Sequence, residues 1–325
     1  MKSKNEILNL FEKLSGLTGN IFIQTHNFPD HDAIASAYGL QKLLERFNIY
    51  TTICYDGSIE RETLKEMIHD LSIKAYHVSE INVNENDYII IVDGCKHNKN
   101  VTDLIGKEIA IIDHHEVGNP DDVVYNDIRS EYGSTSTIIY EYYLKTHQTL
   151  NKNIATAMMI GLNKDTASLT RGVTYHDVIA YGDLWHHSDM HYVNRVMRND
   201  ILLSDLNYFK KAIESLCHYK NFGFVFFEEE CAQNLLGIIG DFLLAVKEFD
   251  FVVIGARNNA RVNISARSEV KHWNSARIIE QALHGIGFGG GHEDMAGGIV
   301  TENTLIPAVD IFNRFKELLF APDKV

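Results

Sequence analysis

The run Glu108-Ile-Ala-Ile-Ile ends in Asp113, His114 and His115, delivering an acid and two imidazoles where an apolar strand stops. Two other segments repeat the arrangement. Asn20 to Thr25 runs into His26-Asn-Phe-Pro-Asp30-His-Asp32, and Asp87 to Val92 runs into Asp93-Gly94. Short isoleucine-rich runs read as strands buried on both faces, and ligands in open α/β sheets gather outside the carboxyl ends of such strands. Asp30, Asp32, Asp93 and Asp165 in one cleft would repel one another and raise their own pKa values unless cations neutralised them. Imidazoles mixed with carboxylates suit Mn²⁺, Co²⁺, Zn²⁺ or Fe²⁺ better than Ca²⁺, with Mg²⁺ a further alternative. The candidate ligands His26, Asp30, Asp32, Asp93, His114 and Asp165 are more than one ion needs. Two ions roughly 3.5–4 Å apart, bridged by a carboxylate, are the usual apparatus for attack on phosphorus.

Neighbouring strand residues face opposite ways, so one of His114 and His115 is expected to bind metal and the other to meet substrate. The strand pattern leaves open which is which. Asp113 is placed to hold a ligand imidazole in its tautomer. Pro29 disfavours a helical Phe28 and predicts an extended approach to Asp30. Asp30 and Asp32 then fall where the dipole of the next helix favours negative charge.

The elements that position these residues alternate short apolar strands with amphipathic helices up to about Asp183, as parallel βαβ units do. From about Trp185 the strands disappear, and a polar, His-bearing helical connector is expected over 186–215. A second α/β unit follows with strands near Gly223–Phe227, Phe251–Gly255 and Val262–Ala266, and a last helix near Ala308–Phe320. The expected fold is therefore α/β. It comprises a parallel-sheet domain over 1–185 and a smaller α/β domain over 216–325, with the active-site cleft between them.

The stretch from Gly285 to Gly298 reads as a glycine-rich loop able to aim backbone amides at an anion, with Gly290, Gly291 and His292 at its centre. It lacks the third glycine of the dinucleotide fingerprint, and no strand immediately precedes it. Upstream, Ser265-Ala-Arg267-Ser268 closes a strand with a guanidinium suited to phosphate.

A net charge of -14 over 325 residues argues against a grip on long duplex nucleic acid, which needs a broad basic surface. The four cysteines form no Cys-x-x-Cys pair, which favours a reducing cytoplasm. No apolar run is long enough for a membrane span, and no signal peptide is read at the amino end. A homodimer is compatible with the sequence.

Together, His26-Asn-Phe-Pro-Asp30-His-Asp32, Val92-Asp93, Asp113-His-His115 and Asp165-Thr166 resemble, in order, the signature motifs of the DHH phosphoesterase superfamily. Ser265-Ala-Arg267-Ser268 and Gly289-Gly-Gly-His292 resemble motifs of the carboxyl-terminal domain of its RecJ-like branch. The resemblance implies that His26 and Asp30 hold one metal, that Asp32, His114 and Asp165 hold the other, and that Asp93 bridges them. It implies that His115 faces the substrate phosphate, and that Arg267 and His292 bind substrate. Within the branch the chain is most similar to the compact nanoRNase and pAp phosphatase group. The implied activity is hydrolysis of short oligonucleotides or linear dinucleotides with Mn²⁺. The alternatives are phosphomonoester hydrolysis on pAp or polyphosphate, and a non-catalytic nucleotide sensor. One departure is visible: Asp165-Thr-Ala-Ser-Leu-Thr lacks the aromatic that commonly follows this motif in the group.

Overall fold

The computed structural model describes residues 2–98, 100–116, 118, 120, 122–199, 201–258, 261–301 and 306–320. The chain folds as two compact units, Met1–Asp200 and Ile201–Val325, both of the expected α/β class.

The first unit begins with α1 (Lys4–Ser15), whose Ile7, Leu10, Phe11 and Leu14 recur at helical spacing and are buried. Then follow β1 (Ile21–Gln24), α2 (His31–Glu45), β2 (Thr52–Tyr55), α3 (Glu62–Asp70), β3 (Ala75–His77), β4 (Tyr88–Val92), β5 (Lys107–Asp113) and β6 (Tyr125–Ile128). The helices α4 (Thr135–Thr146), α5 (Lys152–Asp165), α6 (Tyr175–His187) and α7 (Met190–Arg198) complete it. All six strands pair in parallel in the order β3-β2-β1-β4-β5-β6. Strand order reverses between β1 and β4, and crevices at such switch points open at the carboxyl ends of the strands. His26 and Asp30 follow β1, Asp93 follows β4, and Asp113 to His115 close β5, so three of the sequence motifs share this rim.

The second unit runs α8 (Leu206–Ser215), β7 (Cys217–Tyr219), β8 (Phe222–Phe227), α9 (Gln233–Leu244), β9 (Phe251–Asn258), β10 (Arg261–Ser268), α10 (Ser275–Leu283), β11 (Gly287–Gly291), β12 (Met295–Val300) and α11 (Ala308–Phe320). Its sheet is mixed, ordered β11-β12-β10-β9-β8-β7, with β8 and β9 the parallel pair. The stretch 186–215 divides between the units: Val193 and Val196 of α7 are buried in the first core, and Ala212 of α8 in the second. No helix among the described residues is long and apolar enough to cross a membrane.

Two local expectations are corrected. Phe28 is not extended but left-handed, at φ 55°, because its N–H donates to the Asp56 carbonyl (2.8 Å) and turns the chain there. The glycine stretch near 285–298 is not a loop but the hairpin β11–β12. Glycine is required there by close packing. A Cβ at Gly298 would lie 2.4 Å from Leu283 Cδ1, and one at Gly287 would lie 2.1 Å from the Ile299 carbonyl oxygen. The segment also follows a helix rather than preceding one, the reverse of the dinucleotide-binding order.

Candidate metal centre

Each element brings its side chain to the rim by ordinary means. Asp30 is the N-cap of α2 and accepts from Ala33 N at 3.0 Å. Asp32, in the first turn of α2, is fully buried and accepts from the amides of Thr135 (2.7 Å) and Ser136 (3.1 Å) at the start of α4. The amino terminus of α4 is therefore filled by a protein carboxylate, and Ser134 caps it toward Thr137 N. Asp93 sits in the left-handed turn after β4, at φ 57°, and its Oδ1 accepts from Thr135 Oγ1 at 2.8 Å. Asp165 is the last residue of α5.

Three overlapping sets of side chains come within metal-ligand reach: His26, Asp30 and Asp93; Asp32, Asp93, His114 and Asp165; and Asp93, His114 and His115. Asp93 belongs to all three. Its Oδ2 lies 3.6 Å from His26 Nε2, and its Oδ1 lies 3.6 Å from His114 Nε2. His114 Nε2 is 3.1 Å from Asp165 Oδ2, and His26 Nε2 is 3.9 Å from Asp30 Oδ1.

Both buried imidazoles are oriented by backbone. His26 Nδ1 donates to the Asn27 carbonyl (2.9 Å) and His114 Nδ1 to the Tyr132 carbonyl (3.0 Å), which leaves Nε2 as the nitrogen facing the carboxylates. His115 is more open, at 34% exposure against 5% for His114. Its Nδ1 donates to Asp113 Oδ1 at 2.8 Å, and the same oxygen accepts the amides of His114 and His115. Asp113 thus orients His115, and Tyr132 orients His114.

Burial dominates the electrostatics. Together with repulsion from Asp165 and Asp93, it holds the Asp32 carboxyl well above the usual carboxylate range. Asp93 is pushed up to about 6, chiefly by burial. Burial would lower the imidazoles, but the hydrogen bond and charge of Asp30 lift His26 to about 10, and Asp165 lifts His114 in the same way. His115 rises through its bond to Asp113 despite its burial. A cluster of this many buried carboxylates needs its negative charge balanced, and a divalent cation is a species able to do so. The donor set fits one: Asp93 Oδ2 is buried without a hydrogen-bond partner among the described residues, and the mixed N/O ligands suit a first-row divalent ion.

Several supporting residues act across long sequence separations and carried no sequence signal of their role. Asp177 accepts from Gly133 N and Thr137 Oγ1 and fixes the turn into α4. Gly161 of α5 is needed where that helix meets Asp32: a Cβ there would lie 2.6 Å from Asp32 Oδ1 and 3.0 Å from its Cα. A buried network lies beside Tyr132. Arg129 forks onto Asp127 (2.8 and 2.7 Å) and reaches Glu141 (2.7 Å), which also accepts the Tyr132 hydroxyl at 2.9 Å.

In the second unit, Arg267 Nε donates to Asp241 Oδ1 (2.7 Å) and its Nη1 to Ser265 Oγ (2.9 Å). Gly237 and Gly240 of α9 leave room for this side chain, since a Cβ at Gly237 would come 2.5 Å from Nη2. The Ser268 hydroxyl donates to the Val270 carbonyl at the strand end. Gly290 is exposed on β11 and open around its Cα, and Gly291 holds φ 148° against the Met295 carbonyl. His292 is half-buried in the hairpin turn, its carbonyl accepting Ala276 N at the start of α10. The His186, His187, Asp189 and His191 group contributes to none of the candidate ligand sets found among the described residues. Asp189 caps α7 and pairs with Lys152.

Two family models match in series, the DHH family N-terminal domain over residues 20–162 and the DHHA1 domain over residues 220–318. An uncharacterised protein of Methanocaldococcus jannaschii is 29% identical over 279 residues, which is 85% of this chain and 57% of that protein. A probable manganese-dependent inorganic pyrophosphatase of Streptococcus thermophilus is 28% identical over 158 residues, 48% of this chain and 51% of its own. The chain thus spans about half the length of these curated relatives. Among solved structures, an exopolyphosphatase-related protein of Bacteroides fragilis superposes with TM-score 0.82 at 20% identity, over 97% of this chain and 96% of that one. RecJ of Thermus thermophilus in complex with Mn²⁺ gives TM-score 0.58 at 14% identity, over 97% and 54% respectively. These last two are likenesses of fold.

Proposed function

The chain belongs to the DHH phosphoesterase superfamily, with a DHHA1 domain after its DHH domain, and from that premise we propose that it is a two-metal, Mn²⁺-dependent phosphodiesterase cleaving short oligonucleotides or linear dinucleotides to mononucleotides. The observation that carries this reading is Asp93, one buried carboxylate common to every candidate ligand set. His26 and Asp30 would hold one ion, Asp32, His114 and Asp165 the other, with Asp93 between them. The chemistry a divalent pair supplies at such a site is polarisation of a phosphoryl oxygen and activation of water.

The chain's own contribution is orientation and proton placement. The Tyr132 and Asn27 carbonyls hold His114 and His26 with Nε2 turned to the carboxylates, and the α4 amides hold the Asp32 carboxyl group in place. His115, held by Asp113 and more exposed than its neighbour, is the group we assign to the phosphoryl oxygens or leaving group. In the second domain, Arg267, Gly290, Gly291 and His292 are assigned to phosphate contact, with Ser268 shaping the strand end that carries Arg267.

The test is release of nucleotide and phosphate by the purified protein with Mn²⁺, offered pAp, linear dinucleotides and RNAs of increasing length in parallel. The expected result is fast cleavage of the shortest diesters, with the rate falling steeply as length grows, because the net charge of -14 repels a long polyanion. Equal rates on long RNA would overturn it. A second reading, hydrolysis of phosphomonoesters or phosphoanhydrides, is favoured by the 28% identity of 158 residues of this chain to a probable manganese-dependent inorganic pyrophosphatase. Preference for pAp or polyphosphate in the same assay would select it, and silence on every substrate with metal bound would select a nucleotide sensor.

A further inference from the structure

We infer that Phe28 is a stacking platform for a base of the substrate, which makes that substrate a nucleoside phosphate rather than an inorganic phosphate chain. The inference rests on the phosphoesterase reading of the neighbouring site. Phe28 is the middle of the three residues between two candidate ligands, His26 and Asp30, so one residue separates it from each of them. Its backbone is left-handed at φ 55°, a region that bulky residues enter only at a cost. That cost is met by bracing on both sides. Asn27 N donates to the Asn100 carbonyl (2.6 Å), Phe28 N to the Asp56 carbonyl (2.8 Å), and the Asn27 side chain accepts from Thr102 N (3.2 Å) and Oγ1 (3.1 Å).

The bracing does not serve burial, because Phe28 remains 59% exposed. It serves the placement of the ring. A Cβ built on Gly57 would lie 2.8 Å from Phe28 Cδ1 and 2.9 Å from both Cε1 and Cγ. Near-equal distances to three consecutive ring atoms put one face of the ring on the glycine backbone, which leaves the opposite face turned outward. Gly57 follows β2, and β2 is the parallel neighbour of β1, so ring and ligands stand on one rim of the sheet. Strained, over-determined conformations concentrate where a site needs a group held in advance. A flat aromatic face fixed beside a phosphate-cleaving centre matches the flat face of a nucleobase, and such stacking tolerates any base.

The test compares kcat/KM for the linear dinucleotide pApA with kcat/KM for tripolyphosphate, which has no base, in Mn²⁺. Phe28→Asn keeps a residue that accepts the left-handed backbone, and Phe28→Trp keeps an aromatic face. In F28N the pApA to tripolyphosphate ratio is expected to fall on the order of tenfold, mostly through the KM for pApA, while F28W retains it. A folding defect lowers both activities together and does not move the ratio. An unchanged ratio in F28N overturns the inference, as does a wild-type enzyme that cleaves tripolyphosphate and ignores pApA; the latter leaves the phosphoesterase reading standing. If no phosphate ester or anhydride is cleaved, that reading falls, and a second measurement decides the stacking. Saturable quenching of F28W emission by 5′-AMP but not by ribose 5-phosphate, above the wild-type response of Trp185 and Trp273, supports the platform, and no added quenching rejects it.

Discussion

Gly161→Ala sets two physical effects against each other at the wall of the metal centre. In a helix interior, alanine is ordinarily better than glycine by about 0.5–1 kcal/mol, so propensity alone predicts a more stable protein. The structure predicts the opposite sign. The new Cβ would sit 2.6 Å from Asp32 Oδ1, 2.7 Å from Ser136 Oγ and 3.0 Å from Asp32 Cα. The last of these is backbone, so rotating a side chain cannot relieve it. Overpacking of this kind costs about 1–3 kcal/mol. Subtracting the propensity gain leaves a net loss of up to about 2 kcal/mol, a fall in Tm of a few degrees for a unit of this size. The larger effect falls on metal binding, because Asp32 is held by two α4 amides that its displacement would strain. Loss of such orientation lowers metal affinity by about 10–100-fold. Calorimetric unfolding of the metal-free protein and titration with Mn²⁺ measure both quantities. A G161A protein with a raised Tm and undiminished Mn²⁺ affinity would refute the packing argument.

Three further outcomes are expected. Because His26 stands at about 10 without metal, Mn²⁺ binding near neutral pH must displace its proton, so affinity should rise with pH. Calorimetry in buffers of different ionisation enthalpy should show net proton release, and none would contradict the assignment of His26. Burial would raise the Glu141 carboxyl, but hydrogen bonds from Lys145, Arg129 and Tyr132 outweigh it and hold the group at about 2, below its ordinary 4.5. A depressed carboxyl stabilises the fold above its unfolded pKa and loses that contribution as pH falls through the folded one. Stability on the order of 3 kcal/mol should therefore drain between about pH 4.5 and 2, and Glu141→Gln should flatten that part of the profile. An identical acid slope in both proteins would count against the network. Finally, residues 167–169 hold φ of 46°, 59° and 64° directly after Asp165-Thr166, and Ala167→Gly should raise stability by about 0.5–1 kcal/mol. A lowered Tm would show that the strain there is already compensated.

The centre was legible because its parts are local: isoleucine runs announce buried strands, and the acids and histidines stand where those runs stop. The inner strands β1, β4 and β5 were readable for that reason. The edge strands β3 (Ala75-Tyr76-His77) and β6 (Tyr125-Asn126-Asp127-Ile128) were not, since short edge strands need little apolar content. The hairpin β11–β12 hid because Gly287-Phe-Gly-Gly-Gly carries no alternation of apolar and polar side chains, its pairing being dictated by close backbone packing. Phe28 misled for a related reason. Its proline neighbour disfavours the right-handed helix but cannot announce a left-handed turn, which depends on a hydrogen bond to Asp56, just past the end of β2. Thr135 meets Asp93 from 42 positions away, Asp177 fixes Gly133 from 44, and Gly161 packs on Asp32 from 129, relations that only the folded chain displays.

Mn²⁺ binding at equilibrium to the wild-type protein and to Asp93→Asn tests the bridging carboxylate most directly. The wild-type chain is expected to take up about two ions, and D93N to lose at least one of them together with about 100-fold or more of the phosphodiester hydrolysis. A wild-type chain that binds a single ion, or a D93N chain that binds two with unchanged affinity and turnover, would contradict the two-metal assignment.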